Sequence, residues 1–78
     1  MTPKVPVSPR ALLQRINRAL RSNLRGVRKA RGDRWPELGE YYLMDFNRNT
    51  ILRMKVDLEQ LGRELEVLQP FEQLEEET

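Results

Sequence analysis

The absence of cysteine from a chain of only 78 residues is the feature that most constrains how it can fold. No disulfide framework can staple the chain, and a chain of this size buries only about 60% of its unfolded surface. One small core of apolar side chains must therefore hold it together. Histidine is absent as well, so the sequence lacks an imidazole base and the ligands of the usual zinc sites. We expect neither a metal nor another cofactor.

Charge is divided unevenly along the chain. Residues 1–35 contain ten Lys and Arg and one acidic residue, a net charge of +9. Residues 36–78 contain four basic and eleven acidic residues, a net charge of −7, and the overall charge of +2 conceals this polarity. Almost all of the basic residues in the first half are arginines, which favours bidentate binding of phosphates or carboxylates.

We predict a single domain over residues 8–74, preceded by an extended arm over residues 1–7 and followed by an acidic tail over residues 75–78. Two prolines keep the arm from being helical throughout, and the run of glutamates in the tail has nothing to bury. The sequence contains no run of about 20 apolar residues and no signal-peptide pattern. We therefore expect a cytoplasmic protein without a membrane partner.

A first helix is predicted over residues 9–29. Ser8 and Pro9 are a favoured N-cap and a favoured first helical residue. Apolar residues follow at spacings of three and four, which indicates an amphipathic helix with arginines on the side opposite the apolar stripe. The stripe consists of Leu12, Leu13, Ile16, Leu20, Leu24 and Val27. Two glycines and a Trp-Pro pair predict a loop over residues 30–39.

A β-hairpin is predicted over residues 40–56. A three-residue loop, Asn47–Asn49, brings the apolar residues of both strands to one face and leaves Asn49 in the left-handed conformation. The predicted core face carries Tyr42, Met44, Leu52 and Met54. The predicted outer face carries Tyr41, Leu43, Asp45, Ile51, Arg53 and Lys55.

A second helix is predicted to begin after Asp57, a favoured N-cap, and to end at Gln69-Pro70. Its leucines recur at helical spacing, and Gly62 among them permits a close approach of another backbone. Phe71 and Leu74 would add a last apolar turn. The predicted fold is a small α+β domain of order α-β-β-α, with a two-stranded antiparallel hairpin packed against two helices.

Residues 38–71 carry three motifs that resemble a family of short uncharacterised proteins of proteobacteria and their mobile elements. The motifs are L-G-x-Y-Y-x-x-D, then V-D-L-E-x-L-G-R-E-L, and a closing V-L-x-P followed by an aromatic residue. The resemblance covers nearly half of the chain and implies no established activity. Two positions depart from the family pattern, since Glu66 replaces a glycine and Phe71 replaces a tryptophan.

The basic residues of the first half are the strongest candidate binding site. Arginines along one helix face would contact the phosphates of a nucleic acid, or the acidic surface of a partner protein. A solvated helix face without a partner is the alternative interpretation. Trp35 would stack on a base or cover the core. The candidate residues are Arg10, Arg18, Arg21, Arg25, Arg28, Lys29, Arg31, Arg34 and Trp35.

The outer face of the hairpin is a second candidate surface for a partner. Its residues are Tyr41, Leu43, Ile51, Arg53 and Lys55. A chain that used it would be a protein-binding accessory module or an inhibitor of a host or defence complex, of the anti-CRISPR kind. A homodimer, with the basic helix of one copy on the acidic tail of the other, is a third interpretation.

The sequence gives little support for catalysis. Asp45 has no second carboxylate or base at a matching spacing, so a turn-capping or ion-pairing role is expected for it. The glycines fit no nucleotide-binding pattern, and no histidine is present to activate a serine. We therefore predict a binding protein and no enzyme.

Overall fold

A computed structural model describes residues 4–30 and 35–75, with Trp35 and Pro36 described by their backbone alone. The fold is α+β, as predicted, but the order of elements is not the predicted α-β-β-α. The elements are β1 (Val5–Val7), α1 (Pro9–Leu20), β2 (Arg25–Lys29), α2 (Trp35–Leu38), β3 (Tyr41–Asp45), β4 (Thr50–Arg53), α3 (Leu58–Glu64) and β5 (Glu72–Leu74).

The first helix begins where the sequence predicts and ends much earlier. The Ser8 hydroxyl accepts a hydrogen bond from the Ala11 N–H at 3.1 Å, which caps α1. The helix ends at Leu20, and a single 3₁₀ turn over Arg21–Asn23 follows. Leu24 then takes a left-handed φ of 57°, after which the chain continues as β2. The prediction of helix over residues 21–29 is therefore wrong.

Tertiary hydrogen bonds explain why β2 is a strand. One of its edges pairs with β3, and its other edge meets α1. There the Val27 N–H donates to Asn17 Oδ1 at 2.7 Å, and Asn17 Nδ2 donates to the Val27 carbonyl at 3.2 Å. The Asn17 amide thus satisfies both polar groups of the Val27 backbone, as a neighbouring strand would. Helical spacing of Leu24 and Val27 carries no information about these partners.

Within the described residues, β2, β3 and β4 form an antiparallel sheet in that spatial order. The hairpin register differs from the predicted one, because Met44 lies opposite Ile51 and the turn spans four residues, 46–49. Asp45 Oδ1 accepts hydrogen bonds from the N–H groups of Asn47 and Arg48 at 3.0 and 3.3 Å, which stabilises the longer turn. The turn-capping role expected for Asp45 is confirmed.

The two faces of β3 are exchanged relative to the prediction. Tyr41 and Leu43 pack against the core, and Leu43 lies opposite the buried Val27 of β2. Because side chains alternate along a strand, Tyr42 and Met44 belong to the other face. The hairpin alone does not determine which face is covered, because β2 adds a third strand whose Val27 side chain is buried.

The C-terminal part of the chain has a shorter second helix than predicted, followed by a strand in place of the predicted last helical turn. Asp57 caps α3 as expected, through the N–H groups of Glu59 and Gln60 at 3.0 and 3.2 Å, but the helix ends at Glu64. Residues 72–74 form β5, which pairs in parallel with β1, so Leu74 is extended and not part of a last helical turn. Val5–Val7, inside the predicted arm, are therefore held by backbone hydrogen bonds.

The core lies between α1, α3 and the inner face of the sheet. Gly62 of α3 contributes to it as expected, since a Cβ at this position would lie 2.9 Å from Leu12 Cδ1. The missing side chain lets the two helices approach closely. The buried cluster consists of Val7, Leu12, Ile16, Leu20, Val27, Leu58, Leu61 and Leu68.

Candidate nucleic-acid interface

Three of the candidate arginines meet at one cleft beside β2. Arg21 lies in the 3₁₀ turn after α1, and Arg25 and Arg28 lie on β2. The reversal of the chain at Leu24 brings the strand back beside the end of the helix, so residues from both elements line the same space. The cleft has a volume of about 370 Å³. We call it the basic cleft, and its lining residues are Asn17, Arg21, Leu24, Arg25, Gly26, Val27, Arg28 and Phe46.

Gly26 forms the floor of the basic cleft, and the Phe46 ring forms one wall. A Cβ on Gly26 would lie 2.8 Å from Phe46 Cε2 and 3.3 Å from Asn17 Oδ1. These distances are too short for an unmoved ring, so the ring lies directly against the strand because residue 26 has no side chain. Phe46 remains 43% exposed, so part of its ring is open to solvent.

Arg28 lies over the Phe46 ring, with its Cζ atom 5.0 Å from the ring centroid. A guanidinium at this distance is attracted by the negative face of the ring. The contact restricts a long side chain that would otherwise sample many rotamers, so less entropy is lost when the guanidinium binds a ligand. The cleft therefore presents one cation in a defined position.

The arginines of the basic cleft have no acidic partner among residues 4–30 and 35–75. The ion pairs found in this part of the chain involve other cations, Arg15 with Glu72 at 2.9 Å, Lys29 with Glu40 at 4.0 Å and Arg53 with Glu64 at 3.9 Å. Asp45 lies opposite Arg25 in the sheet, but its carboxylate accepts hydrogen bonds from the 46–49 turn. None of the described carboxylates therefore forms an ion pair with Arg21, Arg25 or Arg28.

Arg15, which is not one of the candidate residues, has a structural role. Arg15 donates to both carboxylate oxygens of the buried Glu72, at 2.9 and 3.1 Å, and to the Val67 carbonyl at 3.1 Å. This ion pair lowers the pKa of the Glu72 carboxyl, and a hydrogen bond from the Gln69 N–H lowers it further. The contact fastens β5 to α1.

The other candidate cations lie apart from the basic cleft or outside the described residues. Arg10 is in the first turn of α1, about 16 Å along the helix axis from Arg21. Arg18 borders a different cleft, together with Phe71 and the Arg15–Glu72 pair. Arg31, Arg34 and the Trp35 side chain lie outside the described residues.

The outer face of the sheet continues from the basic cleft. The register pairs Arg28 with Tyr42 and Gly26 with Met44, and Met44 lies opposite Ile51. Alternation along the strands places these residues on the face opposite to the core. Tyr42, Met44 and Ile51 are half-buried on this face.

The hairpin surface predicted to meet a partner is not a single surface. Tyr41 and Leu43 pack against the core, while Ile51 lies on the outer face of the sheet. Arg53 is close to Glu64, and the Lys55 backbone lies against Gly39 in the connection to α3. Sequence reasoning missed the contributions of Asn17, Gly26 and Phe46 to the basic cleft. Gly26 inside a predicted helix was the available signal, because glycine disfavours helix.

Comparisons with protein-family models, with curated proteins and with solved structures found no match to this chain. The family resemblance of residues 38–71 therefore stays a prediction. Over residues 4–30 and 35–75, every helix is too short or too polar to cross a lipid bilayer.

Proposed function

We propose that the protein is a non-catalytic binding protein that contacts nucleic acid through its basic cleft. The observation that supports the proposal is the convergence of Arg21, Arg25 and Arg28 on one cleft without a described acidic partner. Guanidinium groups bind phosphate oxygens with two parallel hydrogen bonds, and successive phosphates of a strand supply several such sites. The arginines give affinity for the backbone, and this affinity is independent of base sequence.

The positions of the cations on the two sides of the basic cleft fit an extended polyanion. Arg21 comes from the helix side of the cleft, whereas Arg25 and Arg28 come from the strand side, and Phe46 closes one wall. A bound strand would therefore meet cations on both sides of its backbone. The lining contains arginine and no lysine, which also favours phosphate binding, since the planar guanidinium matches the geometry of two phosphate oxygens.

The direct test is binding of a fluorescent oligonucleotide to the whole chain at low salt, measured by anisotropy. We expect the triple variant Arg21→Gln, Arg25→Gln, Arg28→Gln to bind at least about tenfold more weakly than the unchanged protein. Circular dichroism should show an unchanged fold, because all three side chains are exposed.

The matched control removes the same amount of charge elsewhere. Lys4, Arg10 and Lys55 are exposed and do not line the basic cleft, so the triple change of these residues to Gln should weaken binding much less. Equal losses in the two triple variants would contradict the proposal and indicate a general attraction between net charges. Absence of any binding at low salt would also contradict it.

Binding of a partner protein is the second candidate function, favoured by exposed apolar side chains in β4 and directly after it. Leu52 and Met54 are 43% and 58% exposed, and β4 is the last strand of its sheet within the described residues. Such an edge can pair with another chain. A homodimer formed there would double the mass measured by light scattering, and the double variant Leu52→Ser, Met54→Ser would return it to a monomer.

A further inference from the structure

We propose that the ligand of the basic cleft is single-stranded nucleic acid, with one base stacked on the Arg28–Phe46 pair. This inference rests on the proposed function and adds the class of nucleic acid. The arginines alone would bind the backbone of a duplex or of a single strand. The exposed Phe46 ring and the Arg28 guanidinium held over it favour a single strand over a duplex, because only a single strand offers free base faces to them.

The Arg28–Phe46 pair has the components of a stacking site. One side of the ring lies against Gly26, and the guanidinium lies over the ring at 5.0 Å. Bases stack on aromatic rings and on the planes of guanidinium groups in single-strand binding proteins. Because both partners are already in contact in the free protein, a base meets an ordered surface.

The surface for bases extends beyond this pair. Tyr42 lies directly opposite Arg28 across the β2–β3 pair and shares its face of the sheet. A second aromatic residue therefore lies on the same face of the sheet as Arg28, on the neighbouring strand. A strand whose phosphates follow Arg21 and Arg25 at the cleft would carry its next bases onto this face.

A duplex cannot use these groups in the same way. The flat faces of its bases are covered by the neighbouring base pairs, and exposing one costs a few kcal/mol. The bases of a single strand are free to lie on a ring or a guanidinium. We therefore expect the affinity of the protein to depend on the presence of unpaired bases and not only on the number of phosphates.

The test compares three probes of equal length, about 10 nucleotides. These are oligothymidylate, an abasic oligomer with the same phosphates, and a duplex. We expect oligothymidylate to bind about 5- to 140-fold more tightly than the abasic oligomer, the range for one stacked base. Oligouridylate in a parallel series distinguishes RNA from DNA as the preferred strand.

The variant that isolates stacking is Arg28→Lys. It keeps the positive charge but removes the planar group, and the side chain is exposed, so the fold should be unaffected. We expect binding of oligothymidylate to weaken at least about fivefold and binding of the abasic oligomer to change less than about twofold. Arg18→Lys is the matched control, since Arg18 lies outside the basic cleft.

A second variant tests the ring itself. Phe46→Leu keeps an apolar side chain over Gly26 and should reduce the preference for bases, whereas Phe71→Leu, at another exposed phenylalanine, should not. Equal affinity of the unchanged protein for oligothymidylate and the abasic oligomer would overturn the inference and leave the proposed function standing. Failure of all three probes to bind would overturn both.

Discussion

Left-handed backbone at non-glycine residues marks the positions where this chain changes direction. Among the described residues, Leu24, Asn49, Lys55 and Glu66 have φ between 54° and 60°. Asparagine tolerates this conformation, but for most other residues it costs about 1–2 kcal/mol. Each of these residues follows or precedes a helix or a strand, so the strain is compensated by the element that the turn allows to form.

Glu66 provides a test at the scale of one residue. It follows α3 at the position where a left-handed glycine commonly ends a helix. We expect Glu66→Gly to raise the free energy of unfolding by about 0.5–1 kcal/mol, measured by urea denaturation. Gln60→Gly, at an exposed position within α3, should lower it by about 1 kcal/mol. A decrease in both variants would contradict the assigned helix end.

Local hydrogen bonds made several single-residue features predictable from sequence. Ser8 and Asp57 cap their helices, and Asp45 holds the hairpin turn, because a short polar side chain reaches only the N–H groups two or three residues onward. Asn49 is left-handed as expected. Leu24 could not be predicted in the same way, since nothing in a leucine side chain favours that conformation.

At the scale of elements, the main difference between expectation and structure is the conversion of the predicted helix end into β2. The spacing of apolar residues describes one face of a segment. It cannot show whether the backbone N–H and C=O groups of that segment will form hydrogen bonds within a helix or with a neighbouring strand. Here Asn17 and β3 satisfy it from both sides. The basic cleft depends on this conversion, because a continuous helix would carry Arg28 about 10 Å along its axis from Arg21.

Leu24→Gly distinguishes the two arrangements by the sign of its effect. With Leu24 left-handed and 55% exposed, glycine relieves strain and removes little packing, so the free energy of unfolding should rise by about 0.5–1 kcal/mol. In a continuous helix the same substitution would lower it by about 1 kcal/mol. Thermal or urea unfolding of the variant gives the sign directly, and a decrease would contradict the assigned strand.

At the scale of the whole molecule, the Arg15–Glu72 pair joins parts of the chain that are far apart in sequence. Arg63 adds to the junction by donating to the Glu72 carbonyl at 2.9 Å. The pKa of the Glu72 carboxyl is lowered in the folded state by Arg15 and the Gln69 N–H. Its contribution to stability is therefore complete above its unfolded pKa of about 4.5 and is lost as pH falls through the lower folded value.

Glu72→Gln tests the contribution of this carboxylate to stability. As pH falls from about 6 to about 2, we expect the thermal midpoint of unfolding to decrease less steeply in Glu72→Gln than in the unchanged protein. Glu66→Gln is a matched control, because its exposed side chain has no described ion-pair partner. The same slope in Glu72→Gln and the unchanged protein would show that the carboxylate contributes nothing to folding.

Charge polarity, visible in the sequence, persists as two separate clefts in the folded chain. The basic cleft has an acidic counterpart of about 570 Å³, whose lining includes Glu40, Asp57, Glu59 and Glu75. The acidic cleft would repel a polyanion, so a bound strand would be directed to one side of the molecule. The division of charge between the two halves of the chain is visible in the sequence, whereas the two clefts and the residues that shape them could not be anticipated from it.

The salt dependence of binding shows most directly whether nucleic acid binds at the basic cleft. Three arginine–phosphate contacts on a single strand predict that log K falls with log salt concentration with a slope of about −2. The triple variant at Arg21, Arg25 and Arg28 should lose most of this slope, and the triple variant at Lys4, Arg10 and Lys55 should keep it. A slope that is the same in both variants and in the unchanged protein would contradict the assignment of the basic cleft as the binding site.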